Sequence, residues 1–197
     1  GAPAPAQRQR SAGVELLQRE MADVKGQPQL MKVLERLVKA AEKQKRLAAR
    51  DPQQPVPDAP SKPPNLNMVF RGPPGTGKTS SVKKIAKVLA APEVGVLKYA
   101  KVVELNKETQ LPKGDTVPQR VAKVFTNAKG SILFLDEAHK RTDSQAFVDA
   151  LVPLLSKHEG EVMVVIAGYK DEIMTWLRKS DQGNLITLTS TPQPYPH

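Results

Sequence analysis

The sequence has no cysteine, which excludes disulfides and thiolate metal sites and leaves a cytoplasmic or other reducing compartment compatible with it. Aromatic residues are scarce, 4% of 197 residues and none among the first 69, which argues against base-stacking platforms in that region. No apolar run approaches the roughly 18 residues that a membrane span needs. With Gly1 rather than Met at the start, the chain carries no information on targeting. Acidic residues are outnumbered 20 to 30 by Lys and Arg, giving a net charge of +10. Residues 1–50 hold eleven Lys/Arg against five Asp/Glu. Such a segment suits nucleic acid phosphates or an acidic partner, or is a solvated helix face; the last reading is favoured.

Prolines are plentiful but clustered: eight of the 18 lie between Ala49 and Pro74, and three in the last six residues. They divide the chain into a disordered basic arm (1–12), a helical segment (13–50), a Pro-rich linker (51–65), a core (66–189) and a tail (190–197). Within the helical segment Leu30, Val33, Leu34, Leu37, Val38 and Ala41 form one apolar stripe, with Lys32, Arg36, Lys39 and Lys43 opposite. In the core, strand-like runs over 66–71, 99–105, 131–136, 162–167 and 185–188 alternate with helical patterns over 78–89, 117–128, 144–158 and 171–178. The third and fourth runs, Ile132-Leu133-Phe134-Leu135 and Val162-Met163-Val164-Val165-Ile166, are apolar throughout, as central strands of a parallel sheet are. The alternation predicts a doubly wound α/β domain with five parallel strands, its ligand at their carboxyl ends. Pro153 is expected to kink its helix or delay its start.

Gly72-Pro73-Pro74-Gly75-Thr76-Gly77-Lys78-Thr79 fits G-x-x-x-x-G-K-[ST], a phosphate cradle, and stands between a strand and a helix as that motif requires. Pro74, Gly75, Thr76, Gly77, Lys78, Thr79 and Ser80 make up the phosphate-binding set. The glycines let successive amides point at phosphate, with a helix dipole behind them. Lys78 is placed to bridge the β- and γ-phosphates, and Thr79 to ligate Mg²⁺. Downstream, "SILFLDEAH" ends a strand in Asp136-Glu137. Asp136 is expected to hold the Mg²⁺ of a nucleotide on the neighbouring strand, and Glu137 to polarise the attacking water as general base. That glutamate favours cutting a triphosphate over merely holding one. His139 either touches the γ-phosphate or a neighbouring subunit, or is a polar residue at the carboxyl edge of the sheet; the second reading is favoured. No histidine–carboxylate cluster has metal-ligand spacing, so a metal arrives with the nucleotide.

"GPPGTGKT" followed by "ILFLDEAH" resembles the AAA+ ATPases, over roughly residues 21–189. The closest likeness is to the CbbX/stage V sporulation protein K group, which includes red-type Rubisco activases. "NMVFRGPPGTGKTSSVKKIAKVL" is similar to that group's strand, phosphate loop and helix, and "VVIAGYKDEI" to its fourth strand and turn. "ADVKGQPQLMKVLERLV" resembles the linker before the AAA+ core, which implies that Val24, Lys25 and Gly26 lie against adenine. As an ordinary helix start, the same stretch has Asp23 as cap and Pro28 early in the helix. The resemblance implies a three-layer αβα P-loop fold, ATP with Mg²⁺ as ligands, a homo-oligomeric ring and a protein client.

The sequence departs from the group's pattern in places. No arginine follows Gly183 where finger arginines are expected, which leaves Arg141, Arg178 and Lys179 as displaced candidates. Gly114-Asp115-Thr116-Val117-Pro118 matches the turn after the pore loop, but Leu111-Pro112-Lys113 offers no aromatic. The fourth strand ends in Ala167-Gly168-Tyr169 rather than a polar water-orienting residue. The small helical lid with its sensor arginine is absent from these residues. The preferred reading is an ATPase that remodels a protein partner, slow in isolation; the alternatives are a nucleotide-dependent binding or assembly module with vestigial turnover and a nucleic-acid-associated loader.

Overall fold

Two strands set the architecture. β3 (Ile132–Asp136) and β4 (Met163–Gly168) are buried along nearly their whole length, which a strand achieves only when both faces of its sheet are covered. The computed structural model describes residues 11–24, 27–49, 66–71, 77–168, 172, 175 and 189–190. In it β3 and β4 lie in a parallel sheet with β2 (Val102–Leu105) outside β3 and β1 (Met68–Arg71) beyond β4. These four strands make the body of the sheet. Beside β1, Thr189–Ser190 contributes a two-residue backbone pairing, β5, to Met68 and Val69. The strand expected over 185–188 lies outside the described residues.

Alternation along β3 distributes the core. Leu133 and Leu135 face a cluster built with α4 (Val117–Asn127) and α5 (Ser144–Lys157), including Val121, Phe125, Phe147 and Leu151. Ile132 and Phe134 face the opposite cluster, with Val82, Ile85 and Leu89 of α3 (Lys78–Leu89). Helices α1 (Ala12–Glu20) and α2 (Pro28–Ala48) pack into that second cluster through Leu17, Leu30, Leu34 and Val38. The apolar stripe of α2 is therefore an inward face, and Lys32, Arg36, Lys39 and Lys43 stand exposed on its back.

Local chemistry explains most helix boundaries. Ser11 caps α1 by accepting from the Val14 N–H at 3.1 Å. Thr116 and Gln119 form a reciprocal capping box at the start of α4, with Pro118 in the first turn. Pro28 occupies the first turn of α2, but Asp23 is not its cap: that position is Gln27, with no side-chain cap bond, while Asp23 pairs with Lys84 of α3. Pro153 does not delay the start of its helix, since α5 begins at Ser144 and continues past it. Its ring is exposed and so is Asp149, one turn back, so the carbonyl deprived of its partner faces water. The strand expected over 99–105 starts only at Val102, because the Lys98 and Tyr99 amides bond to the Gly130 carbonyl instead of a ladder. Among the described residues no helix is long and apolar enough to cross a membrane.

Candidate nucleotide site

The carboxyl ends of β1, β3 and β4 share one edge of the parallel sheet, and α3 starts there. Gly77 precedes that helix with φ +72°, ψ +18°, and a Cβ added there would meet nothing within 4 Å. Glycine is thus required by the backbone conformation, not by space. The first intrahelical bond, Ser81 N–H to the Gly77 carbonyl at 2.9 Å, leaves first-turn amides without a helical acceptor. Lys78 and Thr79 sit half-buried in that turn, and Ser80 is exposed. Pro74, Gly75 and Thr76 lie outside the described residues, as do Lys25 and Gly26 of the expected adenine contact. Val24 is half-buried against the α3-side core, its amide bonded to the Met21 carbonyl at 2.9 Å.

β3 delivers the acidic pair. Asp136 stands opposite Ala167 in the ladder, and the next amide, Glu137 N–H, bonds the Ala167 carbonyl at 2.8 Å. β4 separates β1 from β3, so Asp136 is one strand removed from the α3 start and not on the neighbouring strand as expected. Glu137 adopts φ +52°, ψ +32°, the sole non-glycine with positive φ among the described residues. It opens a single 3-10 turn (Ala138–Lys140) in which Lys140 Nζ reaches Glu137 Oε1 at 3.0 Å.

Charge organises this cluster. Burial pushes the Lys78 ammonium below its ordinary pKa, opposed by the nearby Asp136 and Glu137 carboxylates. Burial likewise raises Asp136, opposed by Lys78. Glu137 is lowered, chiefly by the hydrogen bond from Lys140. Lys78, Asp136, Glu137 and Lys140 therefore share one electrostatic neighbourhood in which burial works against the charged forms of Lys78 and Asp136. A bound cation beside Asp136 and a phosphate beside Lys78 would each relieve that penalty. No group of three or more His, Cys, Asp or Glu among the described residues forms a metal cage. A hard Mg²⁺ shared by a carboxylate, a hydroxyl and phosphate oxygens fits this donor set.

The residues after Glu137 fasten the turn to two other segments. His139 Nε2 lies 2.7 Å from Glu172 Oε2, with its side chain only 8% exposed. Arg141, also 8% exposed, donates to both Asp143 carboxylate oxygens (2.8 and 3.3 Å) and to the carbonyls of Asn106 (3.1 Å) and Thr109 (2.7 Å). Its guanidinium also covers the Phe147 ring at 5.4 Å. Arg141 is thus engaged within the subunit, which counts against its acting as a displaced finger. Arg178, Lys179 and Tyr169 lie outside the described residues. The loop after β2 is held further by Arg120 on the Leu111 and Pro112 carbonyls and by Lys123 on the Lys113 carbonyl, with Leu111 buried. Sequence reasoning passed over Lys140, Asn106, Asp143 and Glu172. Lys140 had a readable signal in its i,i+3 spacing from Glu137, and Asp143 a weaker one in its nearness to Arg141.

A strand running to a glycine-turned helix start with Lys-Thr, and an acidic pair ending a central parallel strand, define a P-loop nucleoside-triphosphatase domain. Residues 68–186 match the ATPase family associated with various cellular activities (AAA), and the chain belongs to that family. Among its relatives, the ESX-1 secretion system protein EccA1 of Mycobacterium tuberculosis is 33% identical over 120 residues, 56% of this chain and 21% of that protein. The chloroplastic ribulose bisphosphate carboxylase/oxygenase activase of Cyanidioschyzon merolae is 30% identical over 119 residues, 56% of this chain and 40% of the relative. Protein CfxQ of Xanthobacter flavus is 30% identical over the same share of this chain and 37% of its own length. The likeness to CbbX-type proteins expected from the motifs is therefore present, and the match spans only about a fifth to two-fifths of these relatives.

Proposed function

We propose that this chain binds ATP with Mg²⁺ and hydrolyses it, slowly as an isolated subunit, to remodel a protein partner. The observation that supports the reading is Glu137 directly after β3, in a left-handed backbone conformation and in one electrostatic neighbourhood with Lys78. Pro74 and the amides of Gly75 to Ser80 are the proposed phosphate cradle, and Lys78 sets its charge between the β- and γ-phosphates. Val24, Lys25 and Gly26 flank the adenine. Thr79 and Asp136 hold the Mg²⁺, which when bound neutralises charge on the phosphate oxygens. Glu137 orients and deprotonates the attacking water.

A homo-oligomeric ring is part of the proposal, because a finger arginine from a neighbour is worth roughly 10³ to 10⁵ in rate and Arg141 is engaged at home. The names of a secretion-system protein and an activase among the relatives support a protein client in general and no particular one. They lend nothing to the nucleic-acid reading. The binding or assembly module with vestigial turnover keeps one specific support, the occupation of the Glu137 carboxylate by Lys140.

ATP turnover against protein concentration, run beside a binding titration with and without Mg²⁺, tests the proposal. Mg²⁺-dependent turnover that rises in specific activity with concentration, and vanishes in Glu137→Gln while ATP still binds, is the expected result. Binding with no turnover at any concentration would refute hydrolysis and leave the assembly module.

A further inference from the structure

Lys140 stands outside the motifs that define the nucleotide site, yet the fold puts it there. The turn that begins at Glu137 is wound at about 3.0 residues per circuit rather than about 3.6, so positions i and i+3 eclipse. Lys140 accordingly comes back over the carboxylate, 3.0 Å from Glu137 Oε1, with 36% of its side chain exposed. Its charge is felt at Lys78, where it opposes protonation, and at Asp136, where it favours ionisation. Arg141, the next cation along, is buried against the carbonyls of Asn106 and Thr109. The turn therefore sorts two adjacent cations, one inward to hold a loop and one outward over the catalytic edge.

Resting on the nucleotide reading above, we infer that Lys140 is a second phosphate-recognising cation of this site, paired with Glu137 until a γ-phosphate draws it away. An arriving triphosphate offers Lys140 an acceptor of higher charge than a carboxylate, at the same edge of the sheet. Transfer of the ammonium to the γ-phosphate gives a charge-assisted contact that a diphosphate lacks. The same transfer frees the Glu137 carboxylate to accept a proton from water. Lys140 thus distinguishes ATP from ADP and ties general-base release to the presence of the third phosphate.

The test measures Kd for a non-hydrolysable ATP analogue and for ADP, each with Mg²⁺, in the wild-type chain, Lys140→Met and Lys140→Arg. Loss of one charged hydrogen bond predicts that Lys140→Met weakens the triphosphate by about 10-fold or more and ADP by less than about 3-fold. Lys140→Arg is expected to restore most of the discrimination. Glu137→Gln releases Lys140, so it is expected to tighten the triphosphate several-fold, and Glu137→Gln combined with Lys140→Met to lose that gain. Equal effects of Lys140→Met on both nucleotides, or none on either, overturn the inference while leaving the nucleotide site intact. Faster turnover in Lys140→Met with unchanged affinities also overturns it, and makes Lys140 a latch on Glu137 only. Failure of the wild-type chain to bind either nucleotide removes the site reading itself.

Discussion

Replacing Arg141 by glutamine separates a structural arginine from a catalytic one. The side chain is 8% exposed, and its substitution removes a forked pair to Asp143, the donors to two backbone carbonyls and the cover of the Phe147 ring. Breaking a buried ion pair from one side costs about 3–5 kcal/mol. Asp143 retains 27% exposure, so water compensates part of that. The Asn106 and Thr109 carbonyls, in a half-exposed loop, each lose about 1 kcal/mol of hydrogen bonding. A net loss of about 3 kcal/mol is expected, a large fraction of the roughly 5–15 kcal/mol that holds a domain together. At a urea slope of about 2 kcal/mol/M, the midpoint falls by about 1.5 M. Arg141→Lys keeps the charge without the planar fork and is expected to fall between the two. Equilibrium urea unfolding, followed by far-ultraviolet circular dichroism, reads the loss directly. A loss below about 0.5 kcal/mol together with a large drop in concentration-dependent turnover would refute the reasoning and restore Arg141 as a residue acting across a subunit boundary.

Three further outcomes are expected. The Arg141 guanidinium holds the Asp143 carboxyl below its ordinary value of 3.8. Its folded pKa is therefore below its unfolded one, and the stabilisation is full above the unfolded value and lost as pH falls through the folded one. The stability gap between wild type and Arg141→Gln should accordingly narrow progressively as pH falls below about 5, and a gap independent of pH would contradict the pairing. Helix propensity alone would have Gly13→Ala stabilise α1 by about 1 kcal/mol. Its Cβ, however, would meet Val38 Cγ1 at 2.6 Å and Glu42 Oε1 and Val94 Cγ2 at 2.8 Å, so crowding of about 1–3 kcal/mol should win and lower the melting temperature. Thr116→Ala opens the capping box of α4 and should cost about 1 kcal/mol in urea unfolding, with Thr116→Ser close to wild type.

Features set by local pattern were legible before any coordinates. The apolar runs of β3 and β4 announced two-sided burial, and the start of α3 at Lys78 followed from Gly77 and the amphipathic residues after it. Features set by distant partners were not. Arg141 is followed by Thr142-Asp143, which signals at most an ion pair, whereas its role depends on carbonyls more than thirty residues upstream. Asp23 had the composition of a helix cap, but Lys84, brought alongside by the packing of α1 on α3, claimed it. Tyr99 reads as a strand residue by propensity. Its amide is taken by Gly130, and its ring, 49% exposed, has no core to face.

Glu137 lies between these cases. Its identity and spacing from the strand were readable, but its left-handed backbone was not, because nothing in Ala138-His139-Lys140 prefers it. The conformation comes from the sheet: the β3–β4 register carries Asp136 opposite Ala167, and the Glu137 amide then completes the ladder on the Ala167 carbonyl. To turn into the 3-10 helix directly afterwards, with the Lys140 amide on the Glu137 carbonyl at 2.9 Å, the chain must reverse its local hand at this residue. A non-glycine residue held so costs about 1–3 kcal/mol, and Gly or Asn would sit there with less strain. Neither brings a carboxylate. The fold therefore spends stability at one point of the sheet edge, and the residue held there carries the carboxylate that the proposed hydrolysis requires.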